Sequence, residues 1–567
     1  MTMLASIAFV VAPSMSQLPA WDVSPDPVRQ LLSFGLEVDI RRERLAVTEL
    51  YGGDLGSHPL LGPGRIHIFD RSGGGWTRSG VIECPEVQES VRASFGRCLA
   101  LGDNCLFVSD QMRLFNGGAS RGPIWMYERN STGWTLVGRL VNPHPELYGP
   151  WMSVEADRLA VAAIGFLGQT AFGTREVGAV DIYERVQGTW TLTDTLTPVD
   201  LGPRGTTQHF GLNVRLHGDL LIAGTDRSSV YATSIGEVRV FERDATGWNE
   251  RQVLNAPWDY ARSRYGTSGL ALDDEWIMVG DAPRMGSYSL ALSRAPRVWI
   301  YRRGPLPGSP WTLFQYIEPS HWWVSINQAD EFGFSVALSG NRMVVGAPRA
   351  ENSLGQRSLG QAWVFEFDGT SWVQTQRLTT PEVENPGPSP QYLGWSVDID
   401  GPYIAVGDSH APAGNPLITP VGKVYVYENG LGTPTCVGVP NPTGQPATLT
   451  ARGSDYAHFG YVDFFGTSFP PLSVGLLVAA PLQSFVANPA GSQGNLCLGG
   501  TLRRLGHRPA DAMGNWSLAY ELPAAGSIPP NQPAITPGTT WHFQAWYRQP
   551  GTPPSSNFSG ALEITFR

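Results

Sequence analysis

Phe332–Leu378 has the sequence FGFSVALSGNRMVVGAPRAENSLGQRSLGQAWVFEFDGTSWVQTQRL. It contains four short apolar segments, FSVAL, RMVVGAP, QAWVFEF and SWVQTQRL, and glycines and polar residues separate them. Short apolar runs bounded by turn residues are typical of β-strands rather than of helices. The stretch therefore predicts one antiparallel sheet of four strands.

The same four-strand pattern recurs along the chain at intervals of 53 to 67 residues. The units begin at Phe34-Gly35, Phe95-Gly96, Tyr148-Gly149, Phe210-Gly211, Tyr265-Gly266, Phe332-Gly333 and Leu393-Gly394. In six of the seven units the fourth strand opens with a tryptophan, which we expect to pack between adjacent sheets. Repeats of this length with four strands each are typical of propeller blades. The sequence thus predicts a seven-bladed β-propeller.

The last unit has only three such strands before Gly430. Trp21 precedes Phe34 by 13 residues, close to the 14 that separate Trp134 from Tyr148. We therefore predict that residues 20–27 supply the outer strand of the last blade. Strands from both ends of the repeat region would then close the ring without an open sheet edge.

The pattern changes at about residue 431, where short alternating segments and turn signals follow one another without a helical period. They predict a C-terminal β-sandwich. The fold class is accordingly all-β, with a propeller at residues 18–430 and a sandwich at 431–567. At residues 1–17 the short apolar run from Met3 to Ala12 predicts a signal peptide, and hence a secreted or cell-surface protein.

Composition excludes several classes of function. The formal net charge is −10 and no basic run is present, so nucleic acid is not expected as a partner. No apolar run approaches about 20 residues, so an integral membrane protein is not expected either. The chain has 66 glycines and 46 prolines, yet 42% of its residues are hydrophobic, which favours punctuated strands over disorder.

The phrases FGFSVAL and VVGAP resemble the FG-GAP repeat, the unit of the integrin α-type β-propeller. The bacterial form of that repeat adds a GxVYVF strand and a Trp-led strand, and the resemblance covers about residues 20–430. It implies a surface for binding or scaffolding. Many FG-GAP propellers carry DxDxDG calcium loops, but the loops here are SGNRM, LGDNC and DGPYI. Because calcium needs several clustered oxygen ligands, we predict no loop calcium, no metal site of that kind and no cofactor.

The tail resembles a C-terminal module of large secreted proteins from environmental bacteria. The matching features are Cys436 with an NPTG start, Asn495–Gly500, Trp541–Arg548 and Asn557–Phe566. The resemblance implies export and a sorting or accessory binding role.

Five cysteines are present, and none has the spacing of a zinc site. Cys436 and Cys497 are a natural disulfide pair in an oxidising compartment. Cys84, Cys98 and Cys105 leave one thiol unpaired, and their spacing does not indicate which one.

The first strand of each blade would line the central channel. The residue after its recurring apolar position is, in chain order, Asp39, Ala100, Glu155, Arg215, Ala271, Ala337 and Asp398. Ring closure would place Asp398 beside Asp39. A cluster of Asp39, Glu155 and Asp398 could hold a cation, or act as acid and base. The alternative is a solvated channel in which Arg215 offsets part of the charge.

The loops between second and third strands would emerge on one face, where binding commonly occurs. Aromatic residues there are expected to contact carbohydrate or protein, or to pack against other loops. They are Tyr51, Phe115, Phe172, Tyr231 and Tyr288, and the pair Trp322 and Trp323 precedes the sixth unit.

Three functional hypotheses follow. The first is an exported, non-enzymatic binding, adhesion or scaffold protein, monomeric, with a protein or polysaccharide partner at the cell surface. The second is a carbohydrate hydrolase or lyase that uses the channel carboxylates. The third is a structural component of the cell envelope. No HExxH, GxSxG or phosphate-binding GxxxxGK[ST] motif is present, which favours the first.

Overall fold

The computed structural model divides the chain into two compact units, the second formed mainly by Glu428–Arg567. The residues that the structure describes are 20–23, 32–51, 64–72, 75–86, 95–110, 122–131, 133–141, 143–144, 149–170, 173–199, 209–227, 235–257, 264–282, 295–306, 308–319, 330–351, 356, 359–380, 383, 391–409, 422–428, 430–453, 457, 461–522, 532–549 and 555–566. No helix within these ranges is long and apolar enough to cross a membrane. The expected signal peptide at residues 1–17 lies outside them.

The first thirty strands belong to the repeat region. They are β1 (Ala20–Val23), β2 (Leu32–Arg41), β3 (Arg44–Tyr51), β4 (Arg65–Ser72), β5 (Gly75–Glu83), β6 (Phe95–Leu101), β7 (Cys105–Asp110), β8 (Ile124–Asn130), β9 (Gly133–Leu140), β10 (Met152–Glu155), β11 (Arg158–Ala163), β12 (Leu167–Thr170), β13 (Gly173–Glu176), β14 (Ala179–Val186), β15 (Thr189–Leu196), β16 (Val214–His217), β17 (Leu220–Arg227), β18 (Ile235–Asp244), β19 (Gly247–Asn255), β20 (Leu270–Leu272), β21 (Trp276–Asp281), β22 (Arg297–Arg303), β23 (Trp311–Ile317), β24 (Ser335–Ser339), β25 (Arg342–Ala347), β26 (Gln361–Phe367), β27 (Trp372–Leu378), β28 (Leu393–Asp400), β29 (Tyr403–Asp408) and β30 (Lys423–Glu428).

These strands form blades. Within the described ranges the four-stranded sheets are β2-β3-β4-β5, β6-β7-β8-β9, β10-β11-β14-β15, β16-β17-β18-β19, β20-β21-β22-β23, β24-β25-β26-β27 and β1-β30-β29-β28. The innermost strands contact one another in a closed cycle, β2, β6, β10, β16, β20, β24, β28 and back to β2. The predicted β-propeller is confirmed. Strands β12 and β13 form a separate hairpin in the loop between the second and third strands of the third blade.

The ring closes with a strand from the N-terminal side of the chain. Strand β1 pairs antiparallel with β30, with Trp21 opposite Val426. This confirms the predicted closure for residues 20–23, whereas residues 24–27 lie outside the described ranges.

Close packing between neighbouring blades requires glycine at the recurring positions of the repeat. Phe332 is buried, and Gly333 beside it has a φ of +83°, which glycine adopts without the strain that a Cβ would bring. A Cβ on Gly346, the glycine of VVGAP, would lie 2.2 Å from the carbonyl oxygen of Gly394 in the next blade. Neighbouring blades therefore meet backbone to backbone at these two parts of the repeat.

The tryptophans that open the fourth strands pack between blades, as predicted. Trp372 is buried and meets Trp276 of the preceding blade edge-on, with ring centroids 5.4 Å apart. Trp190 meets Phe107 of its preceding blade in the same way at 5.0 Å. Gln315 fixes the Trp372 backbone from the neighbouring blade, donating to its carbonyl at 3.0 Å and accepting from its N–H at 2.9 Å.

The second unit contains ten further strands and a short 3-10 segment at Pro489–Gly491. The strands are β31 (Thr433–Cys436), β32 (Thr450–Gly453), β33 (Tyr461–Gly466), β34 (Val474–Ala480), β35 (Leu482–Val486), β36 (Leu496–Gly499), β37 (Arg503–Pro509), β38 (Trp516–Glu521), β39 (Thr540–Gln549) and β40 (Ser555–Thr565). They form a five-stranded sheet, β31-β40-β39-β34-β37, a three-stranded sheet, β32-β33-β38, and the pair β35-β36. Leu477 and Phe543 of the larger sheet share one core with Phe464 and Leu518 of the smaller. The second unit is therefore all-β, with two sheets that enclose one core.

A disulfide bond joins Cys436 to Cys497, which confirms that predicted pair. The expectation of a single leftover thiol was wrong, since Cys84, Cys98 and Cys105 are all unpaired and buried. Cys98 and Cys105 do not meet because they lie near opposite ends of β7. The Cys98 N–H donates to the Ser109 hydroxyl near the end of that strand, whereas Cys105 is its first residue. Burial raises the pKa of the Cys84 and Cys105 thiols to about 12, which keeps them protonated and unreactive.

Candidate functional site

The innermost strands carry side chains that bind the backbone of the next blade. Asp398 accepts a hydrogen bond from the Ile40 N–H at 2.7 Å, and Asp39 accepts one from the Leu101 N–H at 2.8 Å. An innermost strand is a sheet edge, so some of its N–H groups lack a ladder partner and need another acceptor. These two aspartates supply that acceptor at two successive blade boundaries.

Asp39 and Asp398 also bind each other, since their side chains share a hydrogen bond. Ring closure was predicted to bring them together, and the structure does so. Desolvation raises the pKa of Asp398 well above its ordinary value, and the charge of Asp39 raises it further. Desolvation also raises the pKa of Asp39, against the hydrogen bond from Leu101. The pair therefore holds a proton that two separate aspartates would lose.

Glu155 does not join this pair. The aligned position in the third blade is Ser153, which lies opposite Ala160 as Asp39 lies opposite Ala46. Glu155 is two residues further along, at the hairpin end of the strand. Ser153 takes the aspartates' role, because its hydroxyl accepts from the Leu216 N–H at 3.0 Å. The predicted three-carboxylate cluster is thus corrected to a pair.

Glu155 belongs to a second group at the ends of the innermost strands. Its carboxylate accepts from the Gly218 N–H and lies 3.3 Å from Nδ1 of His217, whose Nε2 is 3.6 Å from Asp274. Burial acts to raise the pKa of Glu155, but the bonds from His217 and Gly218 outweigh it and lower that pKa. The same bond to Glu155 raises the pKa of His217. The group joins the third blade to the fourth through Glu155 and His217, and the fourth to the fifth through His217 and Asp274.

Sequence reasoning missed Glu37, an acid on β2 whose pKa is raised to near neutral pH. Burial raises its pKa from 4.5 to about 7, the charges of Arg215 and Arg97 oppose that rise, and Asp39 adds to it. Glu37 lies two residues before Asp39, so the period of two along a strand puts both on one face. That spacing was a signal available in the sequence.

Arg215 lies on the channel side with these acids, and its charge lowers the pKa of both Glu37 and Asp39. Its guanidinium donates to the Asn213 side chain at 3.3 Å and to the Val214 carbonyl at 3.0 Å. It therefore offsets part of the channel's negative charge without forming a direct ion pair with the described acids.

The chemistry open to this region is proton exchange at Glu37 near neutral pH. Asp39 and Asp398 are occupied by each other and by backbone amides, and Glu155 is occupied by His217. Among the residues with described coordinates, no group of three or more His, Cys, Asp or Glu side chains is placed to hold a metal ion.

The aromatic residues predicted for the loop face are Phe115, Phe172, Tyr231, Tyr288, Trp322 and Trp323, and all lie outside the described ranges. Tyr51 ends β3, and its side chain is not described. Their role in binding remains a prediction.

Comparison with known proteins gives a partial family match. The model of the FG-GAP repeat matches residues 326–365. No curated protein shows significant similarity to the chain.

Solved structures with a related arrangement are remote. The Trypanosoma rangeli sialidase in complex with sialic acid has 11% identity and a TM-score of 0.37, with 98% of this chain and 97% of that chain covered. The acylaminoacyl peptidase of Pyrococcus horikoshii has 10% identity and a TM-score of 0.38, covering 78% of this chain and 59% of that one. The β-propeller domain of the Trilobed protease from Pyrococcus furiosus has 10% identity and a TM-score of 0.38, with coverages of 70% and 93%. These similarities assign no function; the chain is a β-propeller protein that carries an FG-GAP repeat in its sixth blade.

Proposed function

We propose that the protein is an exported, non-enzymatic binding protein, in which the propeller is a rigid scaffold that presents loops to a protein or polysaccharide at the cell surface. One observation carries the proposal. The carboxylates that a channel enzyme would need, Asp39 and Asp398, accept backbone N–H groups of the next blade and bind each other. Groups engaged in this way stabilise the ring and are poorly placed to attack a substrate.

The resemblances noted in the sequence support the same proposal. FG-GAP propellers are mostly binding or scaffold surfaces, and the tail resembles a module of large secreted bacterial proteins. On this proposal the C-terminal sandwich sorts the protein to the surface or adds a binding site. The disulfide bond between Cys436 and the buried Cys497 supports an oxidising compartment, where such bonds form and persist.

A hydrolase or lyase is the second candidate, and Glu37 is the observation that favours it. A carboxyl group with a pKa of about 7 beside Asp39 has the protonation behaviour of a general acid or base. Perturbed acids also occur for purely structural reasons. The Cys98 thiol near Glu37 is kept protonated because burial raises its pKa, and the nearby carboxylates Asp39 and Asp398 bind each other.

The test combines a turnover screen with a binding array. We expect the purified protein to release no product from a panel of neutral and acidic polysaccharides, and to bind at least one glycan or protein saturably. The substitutions Trp322→Ala and Trp323→Ala should weaken that binding, whereas Glu37→Gln should not. Turnover that disappears in Glu37→Gln or Asp39→Asn would establish the enzyme instead, and absence of any saturable ligand would favour a structural envelope component.

A further inference from the structure

The outer face of the five-stranded sheet in the second unit contains a groove of about 470 Å³. Strands β34, β37 and β39 line it with Val474, Leu476, Arg504, Leu505, Gly506, His507, Trp546 and Arg548. The volume falls within the roughly 300–1,000 Å³ of typical small-ligand sites.

The floor of the groove follows from the strand register. Trp546 lies directly opposite Leu476, and Leu476 lies opposite His507, so the three side chains form one row across three strands. The next residues of these strands, Tyr547 and Leu477, point into the core between the two sheets. The sandwich therefore fixes Trp546 from behind, and its ring lines the open side.

The rim is cationic. Arg504, His507 and Arg548 are exposed, and the Arg548 guanidinium lies 5.9 Å from the centroid of the Trp546 ring. No carboxylate among the described residues lies within 4.0 Å of Arg504 or Arg548, and no acid lines the groove. In a chain whose formal net charge is −10, this local positive charge is a departure from the average surface.

We infer that this groove binds a carboxylate-bearing saccharide, such as an oligosaccharide of uronic acids. Arginine pairs with carboxylates through two parallel hydrogen bonds. Arg504 lies opposite Val478, whereas Arg548 follows Tyr547, which lies opposite Gly475, so the two guanidiniums flank the groove and suit acid groups spaced along one oligosaccharide. The indole ring and Leu476 offer an apolar platform for the C–H face of a pyranose. The apolar floor with a few convergent polar groups is the usual composition of a ligand site.

An acidic peptide fits this groove less well, because peptides bind sheets mainly by adding a strand at an edge. Strand β37 is the last strand of the sheet, but β34 at the centre of the groove is hydrogen-bonded on both sides, to β37 and to β39. A ligand over the row of Trp546, Leu476 and His507 therefore meets no strand edge there. Recognition must come from side chains, which favours a ring-shaped ligand with fixed acid groups. The groove lies outside the propeller, so this inference does not depend on the function proposed for the loops.

The test is isothermal titration calorimetry of the full chain with oligogalacturonate, and with a neutral cello-oligosaccharide of equal length. Wild type should bind the acidic probe saturably, at least tenfold more tightly than the neutral one, and more weakly as salt rises. Trp546→Ala and the double variant Arg504→Gln with Arg548→Gln should each weaken binding at least tenfold. Because the two arginines are exposed, the double variant keeps the test valid if Trp546→Ala does not fold.

The matched control is Arg508→Gln, which removes one positive charge from the same strand at a position that does not line the groove. It should change the affinity less than twofold. Lack of saturable binding to oligogalacturonate at millimolar concentration would overturn the inference. So would equal affinity for the neutral probe, equal losses in Arg508→Gln, or tighter groove-dependent binding of an oligoglutamate peptide.

Discussion

Replacing Glu37 by glutamine should stabilise the protein at alkaline pH and leave it unchanged at acid pH. Glu37 is half-buried on β2, where burial raises its pKa from 4.5 to about 7 in spite of Arg215 and Arg97. The native state therefore binds the Glu37 proton more tightly than the unfolded state does. Stability from this group is fully present below pH 4.5 and is lost as pH rises through 7.

The magnitude follows from the two pKa values. One pKa unit corresponds to about 1.4 kcal/mol, so the ionised carboxylate lowers the free energy of unfolding by about 3 kcal/mol at pH 8.5. Glutamine has the same shape without the charge, so Glu37→Gln should recover about 3 kcal/mol at pH 8.5 and none at pH 4.

The assay is urea unfolding, followed by tryptophan fluorescence, at several pH values between 4 and 8.5. The control is Glu83→Gln, because the Glu83 side chain is 66% exposed and its pair with Arg65 is a surface ion pair. That control should stay within about 0.5 kcal/mol of wild type throughout. A Glu37→Gln variant that tracks wild type at pH 8.5, or is less stable there, would refute the reasoning that an ionised Glu37 is costly.

Three further predictions concern other parts of the molecule. Gly346→Ala should lower the melting temperature in a calorimetric scan by roughly 4 °C, because a Cβ 2.2 Å from the Gly394 oxygen forces neighbouring backbones apart at a cost of about 3 kcal/mol. The control Gly80→Ala, which has open space around it, should shift the melting temperature by less than 1 °C. Equal shifts in the two variants would contradict the blade contact. His217→Gln should lower the free energy of unfolding at pH 6 by no more than about 1 kcal/mol and should leave it unchanged at pH 9. The raised pKa of His217 means that its stabilising contribution is present at low pH and is lost as pH rises. A loss of stability that does not depend on pH would show that Glu155 is not its partner. Reducing the disulfide bond between Cys436 and Cys497 should destabilise the second unit by about 4 kcal/mol, as expected for a sequence separation of 61 residues. Unfolding curves that do not change with reductant would show that the bond is absent in solution.

The fold was predictable because its signals are local and repeated. Six of the seven blades begin with an aromatic-Gly pair, four carry a glycine near the end of the second strand, and six have a Trp-led fourth strand. Where the contacts of these residues are described, as at Gly346 and Trp372, they pack at a blade boundary. The closure by residues 20–23 followed from counting strands per unit. The pairing of Cys436 with Cys497 was also available, because these two cysteines belong to the unit that follows the propeller.

The channel was only partly predictable. Asp39 and Asp398 were placed side by side correctly because ring closure dictates it. Glu155 was misplaced by two residues, although a constant spacing of five from the aromatic start leads from Tyr148 to Ser153 as it leads from Phe34 to Asp39. The pKa of Glu37 could not be derived from sequence, because it depends on burial and on Arg97 and Arg215 from other blades.

The central claim is that the channel carboxylates hold neighbouring blades together. Hydrogen–deuterium exchange of peptides containing Ile40, compared between wild type and Asp398→Ala, tests it most directly. Because Asp398 is the acceptor for the Ile40 N–H, the account predicts faster exchange at Ile40 in the variant, with exchange at Leu216, whose acceptor is Ser153, unchanged. Unchanged exchange at Ile40 would contradict the claim and return Asp398 to consideration as a catalytic or ligand-binding group.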